Sequence, residues 1–300
     1  MYQNDPRVFW SEAFALSGSA TIRVARSVLL FGLIGLAVTV IHMSPRLPNL
    51  GIEVAPYEVA GAVLSLLLVV RTNAGYERWW EARKAWGGIV NHSRNLAVAA
   101  LAFGPEDSAG RHNVVRWTAA FAHVARSLLR AERSLAEVEK LLGPELTEQI
   151  SAAEHRPLFV ALRIAEYLHE ARASHGMEGF AFLQADRERV ALIDEMGACE
   201  RILSAPLPKV NAIVIRQFIV LYLATLPFAM VLKVGWLTPL VTMLVAYPIL
   251  SLDQMGVELQ CPFSTRSLSH LPLDEISQRI EGNLLAWLAE KDKIDADEFA

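Results

Sequence analysis

Residues 63–88 read VLSLLLVVRTNAGYERWWEARKAWGG, an apolar run that changes within one residue into a segment rich in tryptophan and charge. The apolar run, which begins near residue 59 and ends at Val70, is typical of a helix inside a membrane. Tryptophan favours the membrane–water interface, and arginine and lysine favour its cytoplasmic side. The junction therefore predicts a helix that leaves the bilayer on the cytoplasmic side at Arg71.

The composition of the whole chain also favours a membrane protein. Its 300 residues are 53% hydrophobic and the mean hydropathy is +0.30, values above those of ordinary soluble chains. A net charge of −4 gives no basic surface of the kind that neutralises nucleic-acid phosphates. Cys199 and Cys261 fall in segments expected in the cytoplasm, where thiols stay reduced, so no disulfide framework is expected.

Four apolar segments are predicted to be membrane helices, because each approaches the length needed to cross a hydrocarbon core about 30 Å thick. They are residues 28–43, 59–70, 212–232 and 236–252. Prolines interrupt the last two segments, and a tight external turn is expected between them at residues 233–235. The basic residues that follow Val70 place both ends of the first helical pair in the cytoplasm.

The remaining residues are predicted to form an all-α cytosolic body. Apolar residues recur there at helical spacing, with no membrane-length run and almost no alternation of period two. The predicted division of the chain is an N-terminal cytosolic segment, 1–27; membrane helices 1 and 2, 28–71; a helical cytosolic body, 72–210; membrane helices 3 and 4, 211–253; and a C-terminal cytosolic segment, 254–300. In that last segment residues 272–290 are expected to form an amphipathic helix and the charged residues 291–300 to fray.

The junction resembles the signature of the bestrophin family of ion channels, and the chain looks like a bacterial bestrophin homologue. The matching residues are Arg71, Asn73, Tyr76, Arg78, Trp79, Trp80, Glu81, Arg83 and Trp86. A second match after the fourth apolar segment consists of Asp253, Glu258 and the run Cys261 to Phe263. The resemblance, which covers about residues 7–290, implies five identical subunits around one pore in a bacterial plasma membrane. It also implies small inorganic ions as the permeant species, either anions such as chloride or, as in some bacterial members, cations.

The resemblance further implies two constrictions of the pore. The first is a neck lined by Ala62, Leu66 and Val70, whose spacing of four places them on one face of the helix. Rings of such apolar side chains can gate a pore by dewetting. The second is a cytosolic constriction at Phe180, for which Met177 and Phe182 are nearby alternatives.

Several charged residues have more than one interpretation. Charges of alternating sign in the junction favour ion pairs that hold helices together, for example between Arg78 and Glu81. Arg216 lies inside the third apolar segment, and it either has a functional role or extends to the cytoplasmic interface. The residues after Phe263 are STRSLSHLPLDE, without the clustered carboxylates that calcium requires. Neither a metal ion nor a cofactor is expected, and conduction is expected to be independent of calcium.

Enzymatic signatures do not fit this chain. His169 and Glu170 begin like a zinc-binding helix motif, but Ala173 occupies the place of the second histidine. We therefore expect a channel with no enzymatic activity and no nucleic-acid partner. The alternative from another class is a membrane-anchored scaffold or regulatory protein without a conducting pore.

Overall fold

The structure, a computed structural model, describes residues 10–11, 13–15, 19–44, 51–104, 108–205 and 208–298. Within these residues the regular secondary structure is helical and contains no strand, as predicted for an all-α protein. The main helices are α1 (Thr21–His42), α2 (Ala55–Phe103), α3 (Ser108–Leu129), α4 (Ala136–Leu142), α5 (Pro144–Ala152), α6 (Arg156–Ser174), α7 (Gly179–Ser204), α8 (Lys209–Val234), α9 (Thr238–Glu258) and α10 (Leu273–Glu298).

The described residues form two compact units. The first unit is drawn from Met1–Trp79, Pro206–Cys261 and Arg266–Ser269. The second is drawn from Trp80–Ala205, Pro262–Thr265 and His270–Ala300. Helix α2 is continuous for 49 residues and contributes to both units.

Among the described residues, three helical segments are long and apolar enough to cross a membrane, which agrees with the predicted membrane protein. They are Thr21–His42, Ala55–Phe103 and Val210–Glu258. The last one contains α8 and α9, which are joined by the 3-10 turn Gly235–Leu237. Gly235 has a φ of 52°, a left-handed conformation that glycine adopts without steric cost. A separate crossing by each of α8 and α9 stays a prediction.

The prolines of the third and fourth apolar segments do not end their helices. Pro227 lies inside α8 and Pro248 inside α9, and both helices continue on either side. Membrane helices tolerate proline because neighbouring helices and hydroxyl side chains satisfy the freed backbone groups. The prolines thus interrupt the apolar sequence runs without interrupting the helices, and Pro239 lies in the first turn of α9, where proline is favourable.

The core of the first unit is made of apolar side chains from four helices. Phe31 of α1, Leu64 and Leu68 of α2, and Leu223 of α8 are buried together, and α9 adds Ala246 to the same cluster. Small residues allow a close approach: a Cβ atom added at Gly35 would lie only 3.1 Å from the Pro239 Cα atom. Membrane helices associate through contacts of this kind, because lipid provides no hydrophobic force between them.

The second unit is a helical body organised around α3. Trp117 and Phe121 of α3 are buried. Arg126 of α3 and Arg130, which directly follows this helix, both reach Asp274 in the first turn of α10, at 3.1 and 2.5 Å. Burial of Asp274 raises its pKa, but the hydrogen bond and charge of Arg130, with the charge of Arg126, outweigh that effect and hold the pKa below its ordinary value. These ion pairs fix the start of α10 against α3.

The C-terminal helix is longer than the sequence predicts. Residues 291–300 are expected from their charge to fray, but α10 continues to Glu298. The reason is that these charges have partners: Asp295 pairs with Arg111 of α3, and Lys291 Nζ lies 2.8 Å from an Asp295 carboxylate oxygen. The prediction of a frayed tail is wrong for the residues up to Glu298.

Both cysteines are free thiols. Cys199 is buried in α7, and Cys261 is exposed. Burial, with the nearby charges of Glu195, Glu200 and Glu81, raises the pKa of Cys199 to about 12. The Cys199 thiol therefore stays protonated and unreactive at neutral pH.

Candidate functional site

One face of α2 is exposed along its apolar half. Ala62, Leu66 and Val70 lie on this face, and Leu66 and Val70 are 65% and 60% exposed in the single chain. On the opposite face Leu64 and Leu68 are 0% and 1% exposed. The helix is thus apolar on two sides, of which only one packs within the chain.

A buried ion pair follows the exposed stripe directly. Arg71 is 7% exposed, and its guanidinium forms an ion pair with Asp253 of α9. The second carboxylate oxygen of Asp253 accepts a hydrogen bond from Arg216 Nε of α8 at 3.2 Å. A charge at the edge of an apolar core is costly unless it is paired. Asp253 supplies the counter-charge for both Arg71 and Arg216. No partner for Arg216 is evident from the sequence, and the structure shows that this partner is Asp253.

The ion pair forms where α2 and α9 approach closely. A Cβ atom added at Gly75 would lie 3.2 Å from the Gly256 carbonyl oxygen, tighter than ordinary contact. At Gly256 an added Cβ would lie 3.5 Å from Arg71 Cγ. Two glycines thus leave room for the helix backbones and for the arginine stem.

Two other side chains of the junction, Arg78 and Trp79, donate hydrogen bonds to backbone carbonyls. Arg78 Nε donates to the Gln260 carbonyl at 2.9 Å, and Trp79 Nε1 donates to the Ser269 carbonyl at 2.7 Å. The Trp79 ring stacks on Tyr76 with 6.3 Å between ring centroids. These contacts attach the middle of α2 to the chain segment that follows α9.

The expected pair between Arg78 and Glu81 does not form. Glu81 lies 3.8 Å from Arg201 instead, and both of these side chains are mostly exposed. Arg78 is directed towards the Gln260 carbonyl, so the three-residue spacing alone did not decide its partner. The remaining motif residues are divided in the same way: Trp86 is completely buried, while Asn73, Trp80 and Arg83 are exposed.

A second charged cluster surrounds Glu258 at the end of α9. Its carboxylate forms an ion pair with Arg23 of α1 and accepts hydrogen bonds from Gln254 Nε2 at 2.5 Å and from the Leu268 backbone N–H at 2.7 Å. Ser267 Oγ donates to the Glu258 carbonyl at 2.7 Å. The serine-containing segment after α9 therefore folds back onto Glu258 and joins α1 to α9.

Phe180 lies at the start of α7 and is 80% exposed. The Glu178 carboxylate caps this helix by accepting hydrogen bonds from the backbone N–H groups of Phe180 and Ala181, at 2.9 and 3.3 Å. The two alternatives are held elsewhere. Met177 is 4% exposed, and the Phe182 ring is covered by the Arg172 guanidinium at 5.3 Å. Of these three side chains, Phe180 is the one free to face a partner or a pore.

Comparison with known proteins was made with the whole chain. Residues 1–286 match the sequence model of the family described as Bacterial/Fungal Bestrophin protein. A voltage-dependent anion channel-forming protein of Nostoc is 34% identical over 279 residues, which are 91% of this chain and 89% of that protein. The voltage-dependent anion channel-forming protein YneE of Escherichia coli is 31% identical over 283 residues, 93% of this chain and 92% of that protein.

Solved structures show the same fold. A crystal structure of a bacterial bestrophin homolog from Klebsiella pneumoniae superimposes with a TM-score of 0.81 at 25% sequence identity. The superposition covers 89% of this chain and 98% of that one. A variant of the same homolog gives a TM-score of 0.83 over 89% of this chain and 99% of that one, again at 25% identity.

Proposed function

The chain belongs to the bestrophin family, and from that premise we propose that it forms an anion-conducting channel in the bacterial plasma membrane. It is an ion-channel protein and not an enzyme, as the names of its relatives and its structural neighbours indicate. The observation that carries the proposal is that relatives aligned over nine-tenths of the chain are voltage-dependent anion channel-forming proteins.

We propose that Ala62, Leu66 and Val70 line the neck of the pore. Their exposure in the single chain supports this, because they are free to face a central axis while the opposite side of α2 packs against the other helices. An apolar ring carries no charge and resists ions by dewetting. Phe180, exposed at the start of α7, is proposed as the cytosolic constriction.

Charge beside the neck supports an anion as the permeant species. Arg71 directly follows Val70, and Arg216 shares Asp253 with it. These three residues carry two positive charges and one negative charge, and the Arg216 side chain is 53% exposed. A net positive charge near a constriction raises the local anion concentration. Cation permeation would have to overcome that field.

We expect the reversal potential in asymmetric sodium chloride to follow the chloride equilibrium potential. The measurement is made on purified protein in planar bilayers, first with calcium and then with a strong chelator, and the current is expected to persist in both. A reversal potential that follows sodium would identify a cation channel. If no current appears after repeated incorporation of the assembled protein into the bilayer, the scaffold alternative is favoured.

We further propose that five copies of the chain surround the pore, with the second unit and both termini in the cytoplasm. The exposed face of α2 supports assembly. A single subunit leaves this apolar face uncovered and cannot enclose a pore by itself, whereas several subunits can bring their exposed faces together around one axis. The mass of the purified protein in a mild detergent is expected to equal five chains. A monomer or dimer as the dominant species would remove the proposed pore.

A further inference from the structure

A cavity of about 250 Å³ lies in the second unit between α2 and α10. Arg83 and Arg94 of α2 and Arg279 of α10 line it, and we call it the arginine cavity. The other residues that line it are uncharged: Asn91 is polar, Gly87 has no side chain, and residues such as Ile276 are apolar. None of the residues that line it carries a negative charge.

The three arginines have no partner within the part of the chain that the structure describes. Each of the ion pairs between described residues involves other cations, and the buried Arg94 Nε atom has no hydrogen-bond acceptor. This contrasts with Arg111, Arg126 and Arg130, which pair with carboxylates in the same unit. Three like charges around one hollow repel each other, and a buried N–H group without an acceptor is costly.

We propose that the arginine cavity binds a small phosphate-class anion, inorganic phosphate or pyrophosphate. The guanidinium group presents a planar fork of donors that matches phosphate oxygens, and such charge-assisted bonds are stronger than neutral ones. A bound anion would satisfy Arg94 Nε and offset the repulsion among the three charges. Asn91 also lines the cavity, and an asparagine amide can donate a further hydrogen bond to a bound anion.

Charge and volume together define the ligand. A single chloride would neutralise one of three positive charges, whereas a phosphate carries up to two charges and a pyrophosphate more. Pockets for drug-sized ligands measure about 300–1,000 Å³, so a cavity of about 250 Å³ suits a small ion rather than a whole nucleotide. The site is therefore distinct from the permeation of monovalent anions, and binding at it does not depend on whether the channel conducts.

Binding is tested on the full-length protein in detergent, with pyrophosphate as the probe and with ionic strength held constant by sodium chloride. We expect the thermal midpoint to rise with pyrophosphate concentration, because a ligand that binds only the folded state stabilises it. Arg94→Gln and Arg279→Gln are each expected to weaken binding by roughly 10- to 100-fold, the equivalent of one charge-assisted hydrogen bond. Arg279 is exposed, so its replacement leaves the fold intact even if Arg94→Gln does not.

Arg116→Gln is the matched control, because Arg116 is an exposed arginine of the same unit that lies outside the cavity. It is expected to bind pyrophosphate like the parent protein. Equal loss in all three variants would mean that net charge alone attracts the probe, and absence of binding up to millimolar pyrophosphate would also overturn the proposal. A third outcome would also overturn it: Arg94→Gln forms a smaller assembly, and the parent protein does not bind pyrophosphate. The arginines would then pair with a carboxylate of a second copy of the chain. Repeating the titration in lipid nanodiscs with and without phosphatidylglycerol shows whether a lipid phosphate competes for the site.

Discussion

Asp253→Asn is expected to lower the free energy of unfolding by roughly 3–5 kcal/mol, because it leaves a buried arginine without its counter-charge. Asp253 accepts from both Arg71 and Arg216, and Arg71 is 7% exposed. The amide of asparagine fills nearly the same space but carries no charge. The change is measured as the loss of thermal midpoint of the purified protein in detergent, and as a loss of correctly assembled protein.

A second variant separates the buried charge from a general loss of packing. In the double variant Arg71→Met with Asp253→Asn the uncompensated cation is gone, and replacement of a buried pair by apolar groups is often close to neutral. Most of the lost stability should therefore return. Glu77→Gln, an exposed acid on α2 in the same unit, is the control and should change little. If the double variant is no more stable than Asp253→Asn alone, Asp253 does not act through Arg71.

Leu66→Ala is expected to increase the open current or the open probability with little effect on stability. In the proposed pore Leu66 is the largest of the three neck side chains, and shortening it widens the ring that the Leu66 side chains of the subunits form. Water then persists in the neck, so the dewetting barrier falls. The side chain is 65% exposed in the single chain, and its removal leaves no cavity within that chain. Single-channel recording and thermal unfolding are made on the same preparation.

Leu64→Ala is the matched control for this experiment, since Leu64 lies two residues away on the buried face of the same helix. The same truncation there leaves a cavity, and it is expected to cost about 2–5 kcal/mol. The contrast between the two variants decides which face of α2 meets the pore. If Leu66→Ala instead loses several degrees of thermal midpoint and conducts like the parent, Leu66 is a packing residue and the assigned pore face is wrong.

The sequence predicts the class of fold well because that information is local. An apolar run, a change of charge at Arg71 and helical periodicity in the body are each visible within about 20 residues. The identity of the family was equally local, since it rested on the junction after Val70. The helix ends were less predictable, as α10 shows: Asp295 looks solvent-exposed in sequence, and only its pairing with Arg111 explains why the helix continues.

The partners of the charged residues could not be predicted in the same way. Arg71 and Asp253 are 182 residues apart, and no periodicity connects them. Arg78 and Glu81 have a suitable spacing for a pair, yet tertiary contacts give each a different partner. The arginine cavity also depends on two distant helices. The position of Arg216 within an apolar run of the sequence was a signal that an acid lies nearby, and Asp253, near the end of the next helix, is that acid.

The separation of Arg71 from Asp253 along the chain also has a consequence for biosynthesis. At a typical elongation rate of about 5–20 residues per second, Asp253 emerges roughly 10–40 s after Arg71. During that interval Arg71 has been synthesised and Asp253, the acid that it pairs with in the folded chain, has not. The contact of α2 with α9 that buries Arg71 can therefore form only after α9 has been synthesised.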